Sequence, residues 1–254
     1  MIRAENISKR YSEKGRQVLS GVNLVFESGE FCAVMGESGS GKSTLLAIIA
    51  GILKPDSGRI LVSKEAYNRI RSNAGGIGSE EADNNVVNLT ESVKSDENQN
   101  HKLDEIDIYS LSDEELSGFH REKLGYVPQG NVFLKNYTVL ENLVTPFLTK
   151  DNLGTLNDRA YALLESLGVK EPADCHTFEL SGGEQKRVAL ARAFMTDPEI
   201  VIADEPTTGL DASIGDIILG FLKSKAEEGK TVIVATHDEH VKAYATRTIT
   251  TAYH

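Results

Sequence analysis

The chain of 254 residues is 40% hydrophobic, enough to bury one sizeable core as a single large domain or as a core with a smaller lobe. Its formal net charge of −11 repels phosphate backbones and argues against a broad basic face for DNA or RNA. Two cysteines, Cys32 and Cys175, form neither a disulfide framework nor a metal-ligand spacing, so a reducing, cytosolic setting is expected.

The opening stretch, MIRAENISKR, lacks the apolar core of a secretory signal. The longest apolar run, LLAIIAGIL over 45–53, is too short to cross a bilayer, so membrane work is expected to pass through a partner. Alternating Val22, Leu24 and Phe26, then FCAVMG, read as strands feeding a glycine-rich turn. Leu45 to Ala50 continues as a buried helix that Gly51 can end. Further strand-like runs lie at Arg59–Val62, Leu124–Val127, Ile200–Ala203 and Thr231–Ala235, with helical patterns between most of them, the order expected of an α/β fold with a largely parallel sheet. The stretch from Ser63 to Lys102 is polar, has one Tyr as its only aromatic, and offers too little apolar surface to offset ordering the chain. It reads as a mobile insertion over about 63–104, in which the NLT sequon at Asn88 is a chance match. Ser112 and Glu115 form a capping box before the helix DEELSGFHREK. LNDRAYALLESLG and GGEQKRVALARAFM both show helical spacing, which suggests a helical lobe over about 131–195.

GESGSGKST over 36–44 follows a strand and opens a helix, the context a phosphate-binding loop requires. Gly36, Gly39 and Gly41 let the backbone turn its N–H groups inward around an anion, and the positive helix N-terminus adds to the field. Lys42 can reach the β- and γ-phosphates, Ser43 can ligate Mg²⁺, and Thr44 can support the phosphates from the first turn. Glu37, Ser38 and Ser40 complete this candidate ATP cradle. IVIADEP over 200–206 is an apolar strand ending in two acids, which places both at the carboxyl edge of a parallel sheet near the loop. Asp204 is suited to hold Mg²⁺, usually through a water, and Glu205 to polarise an attacking water. Such a cradle serves kinases, GTPases and motors alike.

LSGGEQKRVALARA over 180–193 narrows the choice. Here the chain resembles the ATP-binding-cassette ATPases, whose signature is LSGGQ; in this sequence Glu184 precedes Gln185. Gly182 and Gly183, following Ser181 at a helix start, again offer N–H groups to an anion. The resemblance implies that this motif meets the γ-phosphate held by an opposite subunit, so that two ATP molecules are sandwiched in a homodimer or heterodimer. It further implies adenine stacking by Tyr11, contact of Gln129 in GYVPQG with Mg²⁺ and the attacking water, an interface-crossing loop at Asp211 in TTGLDA, and γ-phosphate contact by His237 in VIVATHD. Pro128 stands where the family more often has an aromatic, which implies a stiffer turn. The implied fold is α/β, a P-loop NTPase core with a mostly parallel central sheet, an N-terminal antiparallel β portion and a helical signature lobe, all in one domain over 1–254.

IYSLSDEELSGFHREKLGYVPQGNVFLKNYTVLENLVTPFL is similar to the subfamily that serves lipoprotein release, macrolide efflux and antimicrobial-peptide export. In that subfamily the residues matching Asn131 to Leu148 face the transmembrane subunit, and Val132, Phe133 and Leu134 could supply an apolar docking patch. Thr208-Gly209 departs from the Gly-Asn that commonly precedes Leu-Asp there. The expectation is a Mg²⁺-dependent ATPase, peripheral on the cytoplasmic face of the membrane, that powers a separate permease and binds no nucleic acid. Two alternatives are a non-transport regulator of a cell-envelope enzyme or sensor, and a nucleic-acid-associated cassette. The second usually carries coiled coils, paired cassettes or basic surfaces, and this acidic single cassette has none.

Overall fold

The computed structural model describes residues 1–12, 15–63, 105–130, 132–148, 152–169 and 174–251. The expected insertion, apart from Ser63, and the Asn88 sequon lie outside the described residues, as does Asn131.

Two long strands open the chain, β1 (Ile2–Arg10) and β2 (Gln17–Phe26), paired antiparallel. The buried set of β1 runs Ile2, Ala4 and then Ile7, because Asn6 at φ 52° sits in a bulge that shifts the pairing. β3 (Phe31–Met35) leads through the glycine loop into α1 (Lys42–Ile49), and β4 (Ser57–Ser63) returns to pair with β1. Gly51, at φ 72°, turns the chain away from α1. The Tyr109 hydroxyl lies 2.6 Å from the Ile48 carbonyl and 2.7 Å from that of Leu53, so its one proton is shared between the helix end and the turn after it. β5 (Glu105–Asp107) completes an antiparallel sheet in the order β2-β1-β4-β5.

α2 (Asp113–Glu122) starts with the expected capping box: the Glu115 N–H donates to Ser112 Oγ at 3.3 Å, and the Ser112 N–H to Glu115 Oε2 at 2.9 Å. After β6 (Leu124–Val127) come three helices, α3 (Val139–Val144), α4 (Leu153–Ser166) and α5 (Gly182–Ala193). The chain then alternates through β7 (Ile200–Asp204), α6 (Ala212–Glu227), β8 (Thr231–Thr236) and β9 (Arg247–Thr250).

The second sheet is parallel throughout, in the order β6-β7-β8-β3-β9. Its inner strands β3, β7 and β8 are buried end to end, and largely apolar, because both faces are covered. Phe31, Ala33, Met35, Val201, Ala203, Val232 and Val234 pack with α4, α5 and α6, whereas Cys32, Val34, Ile200, Ile202, Ile233 and Ala235 pack with α1 and the antiparallel sheet. Phe194, just past α5, meets Phe221 of α6 edge-on, with ring centroids 5.0 Å apart. Such a pair contributes about 0.5–1.5 kcal/mol beyond its buried area. The α/β class, the parallel core sheet and the antiparallel N-terminal portion expected from the sequence are all present. Because β3, β6, β7 and β8 run parallel, the segments leaving their carboxyl ends emerge at one edge.

Candidate active site

The loop after β3 carries its glycines for two separate reasons. Gly41, at φ 91°, is the N-cap of α1 and supplies no side-chain cap, so the first-turn N–H groups remain free for an anion. Gly36 is a matter of space: a Cβ there would lie 2.2 Å from Thr251 Oγ1 and 2.7 Å from Ser40 Oγ. Ser40 and Thr251 are themselves paired through their hydroxyls at 2.9 Å. Glu37, Ser38 and Gly39 are exposed at the loop tip. Lys42 is only 5% exposed, and its Nζ donates to the carbonyls of Gly36 at 2.7 Å and Glu37 at 2.9 Å. Tyr11, 64% exposed, presents its ring to solvent while its hydroxyl pairs with Thr44 Oγ1 at 2.9 Å. That bond ties the expected adenine platform to the last residue of the loop.

The two acids after β7 are buried beside this loop but held differently. Asp204 Oδ1 is buried without a hydrogen-bond partner, and burial pushes the carboxyl above its ordinary range, against the Ser43 hydroxyl bonded to it. Glu205 feels burial in the same direction, but hydrogen bonds outweigh it and hold the carboxyl below the usual glutamate range. Thr208 Oγ1 donates to Oε2 at 2.6 Å, Thr236 Oγ1 to Oε2 at 3.2 Å, and His237 Nδ1 lies 2.8 Å from Oε1. Lys42 Nζ lies 3.9 Å from the same Oε1. Two adjacent carboxyls are thus pushed apart in acidity, which leaves Glu205 the more readily ionised of the two.

Gln129 is exposed, and with Pro128, Lys186, Asp204 and Glu205 it lines a small cavity beside the acids. The residues after it are tied to α5: Arg192 donates to the Val132 carbonyl at 2.6 Å and stacks over Phe133, 5.3 Å from the ring centroid. Of the three residues in the expected docking patch, Phe133 packs against the core, whereas Val132 and Leu134 stay exposed.

Ser181 is the N-cap of α5, in a capping box with Glu184. Gly182 is exposed and a Cβ there would meet nothing within 4 Å, whereas Gly183 faces Ile214 and Leu210. Asp211 is the exposed N-cap of α6 and makes no side-chain cap bond. The structure therefore gathers the loop, Asp204, Glu205, Gln129 and His237 at one sheet edge. Ser181, Gly182 and Asp211 stand at exposed helix starts, outside the network around Glu205.

Sequence reasoning missed Thr208, Thr236 and Lys186. Lys186 Nζ, from α5, donates to the carbonyls of Glu205 at 3.1 Å and Thr208 at 2.5 Å. Threonines beside acidic motifs are too common to stand out, and a lysine on a polar helix face reads as solvated. The proximity of Thr236 to a motif histidine was the only available signal.

Comparison with known proteins follows the same lines. A family model described as ABC transporter matches residues 19–118 and 91–208. The chain is 34% identical to the uncharacterised ABC transporter ATP-binding protein YvrO of Bacillus subtilis, over 98% of this chain and 92% of that one. It is 33% identical to the lipoprotein-releasing system ATP-binding protein LolD of Saccharophagus degradans, over 94% of this chain and 88% of LolD. Similarity to the macrolide export ATP-binding/permease protein MacB of Campylobacter fetus, at 33% identity, spans 98% of this chain but only 33% of MacB. Among solved structures, the dimeric MJ0796 cassette of Methanocaldococcus jannaschii superposes with a TM-score of 0.76 at 32% identity, covering 99% of this chain and 94% of that one. A post-hydrolysis dimer of the same cassette, bound to ADP and Pi, gives 0.75. The chain belongs to the ABC transporter family and is an ATP-binding, ATP-hydrolysing cassette.

Proposed function

We propose that this chain energises export or extraction of a substrate by a separate transmembrane permease, through ATP sites completed only when two cassettes meet. One observation carries the chemistry: the Glu205 carboxylate, bonded to three donors, lies 3.9 Å from the phosphate-loop Lys42. Glu205 acts as the base: as water attacks the γ-phosphorus it takes the proton, while the bond from that phosphorus to the bridging oxygen breaks, leaving ADP and phosphate. Lys42 transfers its hydrogen bonds from the loop carbonyls to the β- and γ-phosphates. The backbone N–H groups of Gly39 to Thr44 cradle the remaining charge. Tyr11 stacks on adenine, and Gln129 and His237 orient the γ-phosphate and water.

Mg²⁺ fits this site, because Asp204 Oδ1 is a buried, unpartnered hard oxygen next to the Ser43 hydroxyl. When bound, it neutralises charge building on the phosphates. Asp204, Ser43 and Gln129, which lines the same small cavity as Asp204, would hold the ion together with the nucleotide and water.

Ser181, Gly182, Gly183 and Asp211 contact the nucleotide of the facing cassette, in keeping with the exposure of Ser181, Gly182 and Asp211 at their helix starts. The whole chain forms one cassette, with 131–195 as its helical lobe. Among the described residues no helix is long and apolar enough to cross a membrane. Val132 and Leu134 supply part of the docking face for the permease, with the cassette on the cytoplasmic side. The LolD and MacB relatives support the export or extraction reading.

Glu205→Gln tests the site. Turnover should fall about 10²- to 10⁴-fold while ATP binding persists. With saturating MgATP the variant should elute as a dimer on size-exclusion chromatography, and pull-down from native membranes should recover an integral membrane subunit. Steady turnover, or a monomer under those conditions even beside the membrane subunit, overturns the proposal.

A further inference from the structure

We propose that Thr208 and Lys186 form a strut that transmits the position of the signature helix α5 to the carboxylate of Glu205. This rests on the reading of Glu205 as the base. Glu205 occupies the left-handed backbone region at φ 52°, an unfavourable place for a residue with a Cβ, so its surroundings must hold it there. Its N–H donates to Ala235 O at 2.8 Å, fixing it to the sheet. Its carbonyl accepts from the Thr208 N–H at 3.4 Å and from Lys186 Nζ at 3.1 Å. The Thr208 carbonyl accepts from the same ammonium at 2.5 Å. Lys186 thereby grips both ends of the four-residue turn from Glu205 to Thr208.

The side chain is held from two directions. Thr236 and His237 approach from the end of β8, which is hydrogen-bonded to β7 and moves with it. Thr208 approaches from the turn that Lys186 fastens to α5. A displacement of α5 relative to the sheet therefore acts on the Thr208 bond and leaves the β8 bonds in place. The charged groups around the carboxylate are Asp204 on β7, Lys42 on α1, Lys186 on α5 and His237 after β8. Thr208 is an exposed residue whose hydroxyl is bonded to this carboxylate, so removing that hydroxyl opens no cavity in the core.

Steady-state ATPase kinetics on the full chain, with nucleotide titration and thermal melts, test the strut. Thr208→Val should lower kcat by about tenfold, the effect of losing one hydrogen bond to a charged group, with KM for ATP and Tm unchanged. Thr208→Ser, which keeps the hydroxyl, should restore most of the rate. Lys186→Met should lower kcat likewise, and the double variant should lose less than the product of the two single effects, because both act through Glu205. If Lys186→Met fails to fold, the valine and serine variants decide alone. A wild-type kcat in Thr208→Val while Glu205→Gln is inactive overturns the strut and leaves the base in place; steady turnover by Glu205→Gln removes the base itself. Loss of KM and Tm together, in the serine variant as in the valine, marks a structural role and also overturns the strut.

Discussion

His237 is bonded to Glu205, its Nδ1 2.8 Å from Oε1, although the two residues lie on different strand ends. With Glu205 ionised and acceptor-only, His237 Nδ1 is the donor of this bond. His237→Ala removes that donor. We expect kcat to fall by about 10²-fold. The acid limb of the pH–rate profile should also move to higher pH, because Glu205 loses a bond that favours its charged form. An unmoved acid limb would show that His237 acts only on the nucleotide.

Asp204 is pushed above its ordinary range by burial, so at neutral pH its charge destabilises the nucleotide-free fold. Asp204→Asn should therefore raise Tm without nucleotide. Its effect on Mg²⁺ dependence should be opposite: losing a carboxylate that holds the ion through a water should cost about 10–100-fold in metal affinity, or about 1.4–2.7 kcal/mol. Magnesium titrations of ATPase activity, set beside thermal melts, separate the two effects.

Two glycine-to-alanine changes should fail for different reasons. Gly36→Ala forces a methyl against Thr251 and Ser40 in the same chain, so it should destabilise the fold by about 1–3 kcal/mol and abolish nucleotide binding. Gly182→Ala meets nothing in this chain, so Tm should hold or rise. Any loss in the second variant then reports on the facing cassette. Size-exclusion chromatography of Gly182→Ala combined with Glu205→Gln in MgATP should show a weakened dimer.

The Glu184 carboxylate accepts from Ser181 Oγ at 2.6 Å and from the Ser181 N–H at 2.9 Å, and these bonds hold it below the ordinary glutamate value. A depressed folded value means that the box stabilises α5 above the unfolded pKa and fades as pH falls through the folded one. Glu184→Ala should cost about 0.3–1.5 kcal/mol at pH 7. Denaturant melts of wild type and variant should converge as the pH is lowered below the ordinary glutamate range. A gap that persists unchanged would mean that the carboxylate charge plays no part in the cap.

The pieces legible before folding are those whose physics is local. A glycine loop between strand and helix, an apolar strand ending in two acids, and Ser112 three residues before Glu115 at a helix start each depend on neighbours within about ten positions, and each is where the pattern placed it. The α/β class was legible for the same reason, since doubly covered strands must be apolar throughout. Tertiary structure alone decided which donors reach Glu205. The strand order β7-β8-β3 brings His237 and Thr236 to it from about thirty residues away, and α5 delivers Lys186 across the sheet edge. It also split the expected docking patch, packing a half-buried Phe133 under Arg192 and leaving Val132 and Leu134 outside. A side chain's periodicity states which face it occupies, but hydrogen bonds act over about 3 Å, and only the packed arrangement of several elements brings groups within that range.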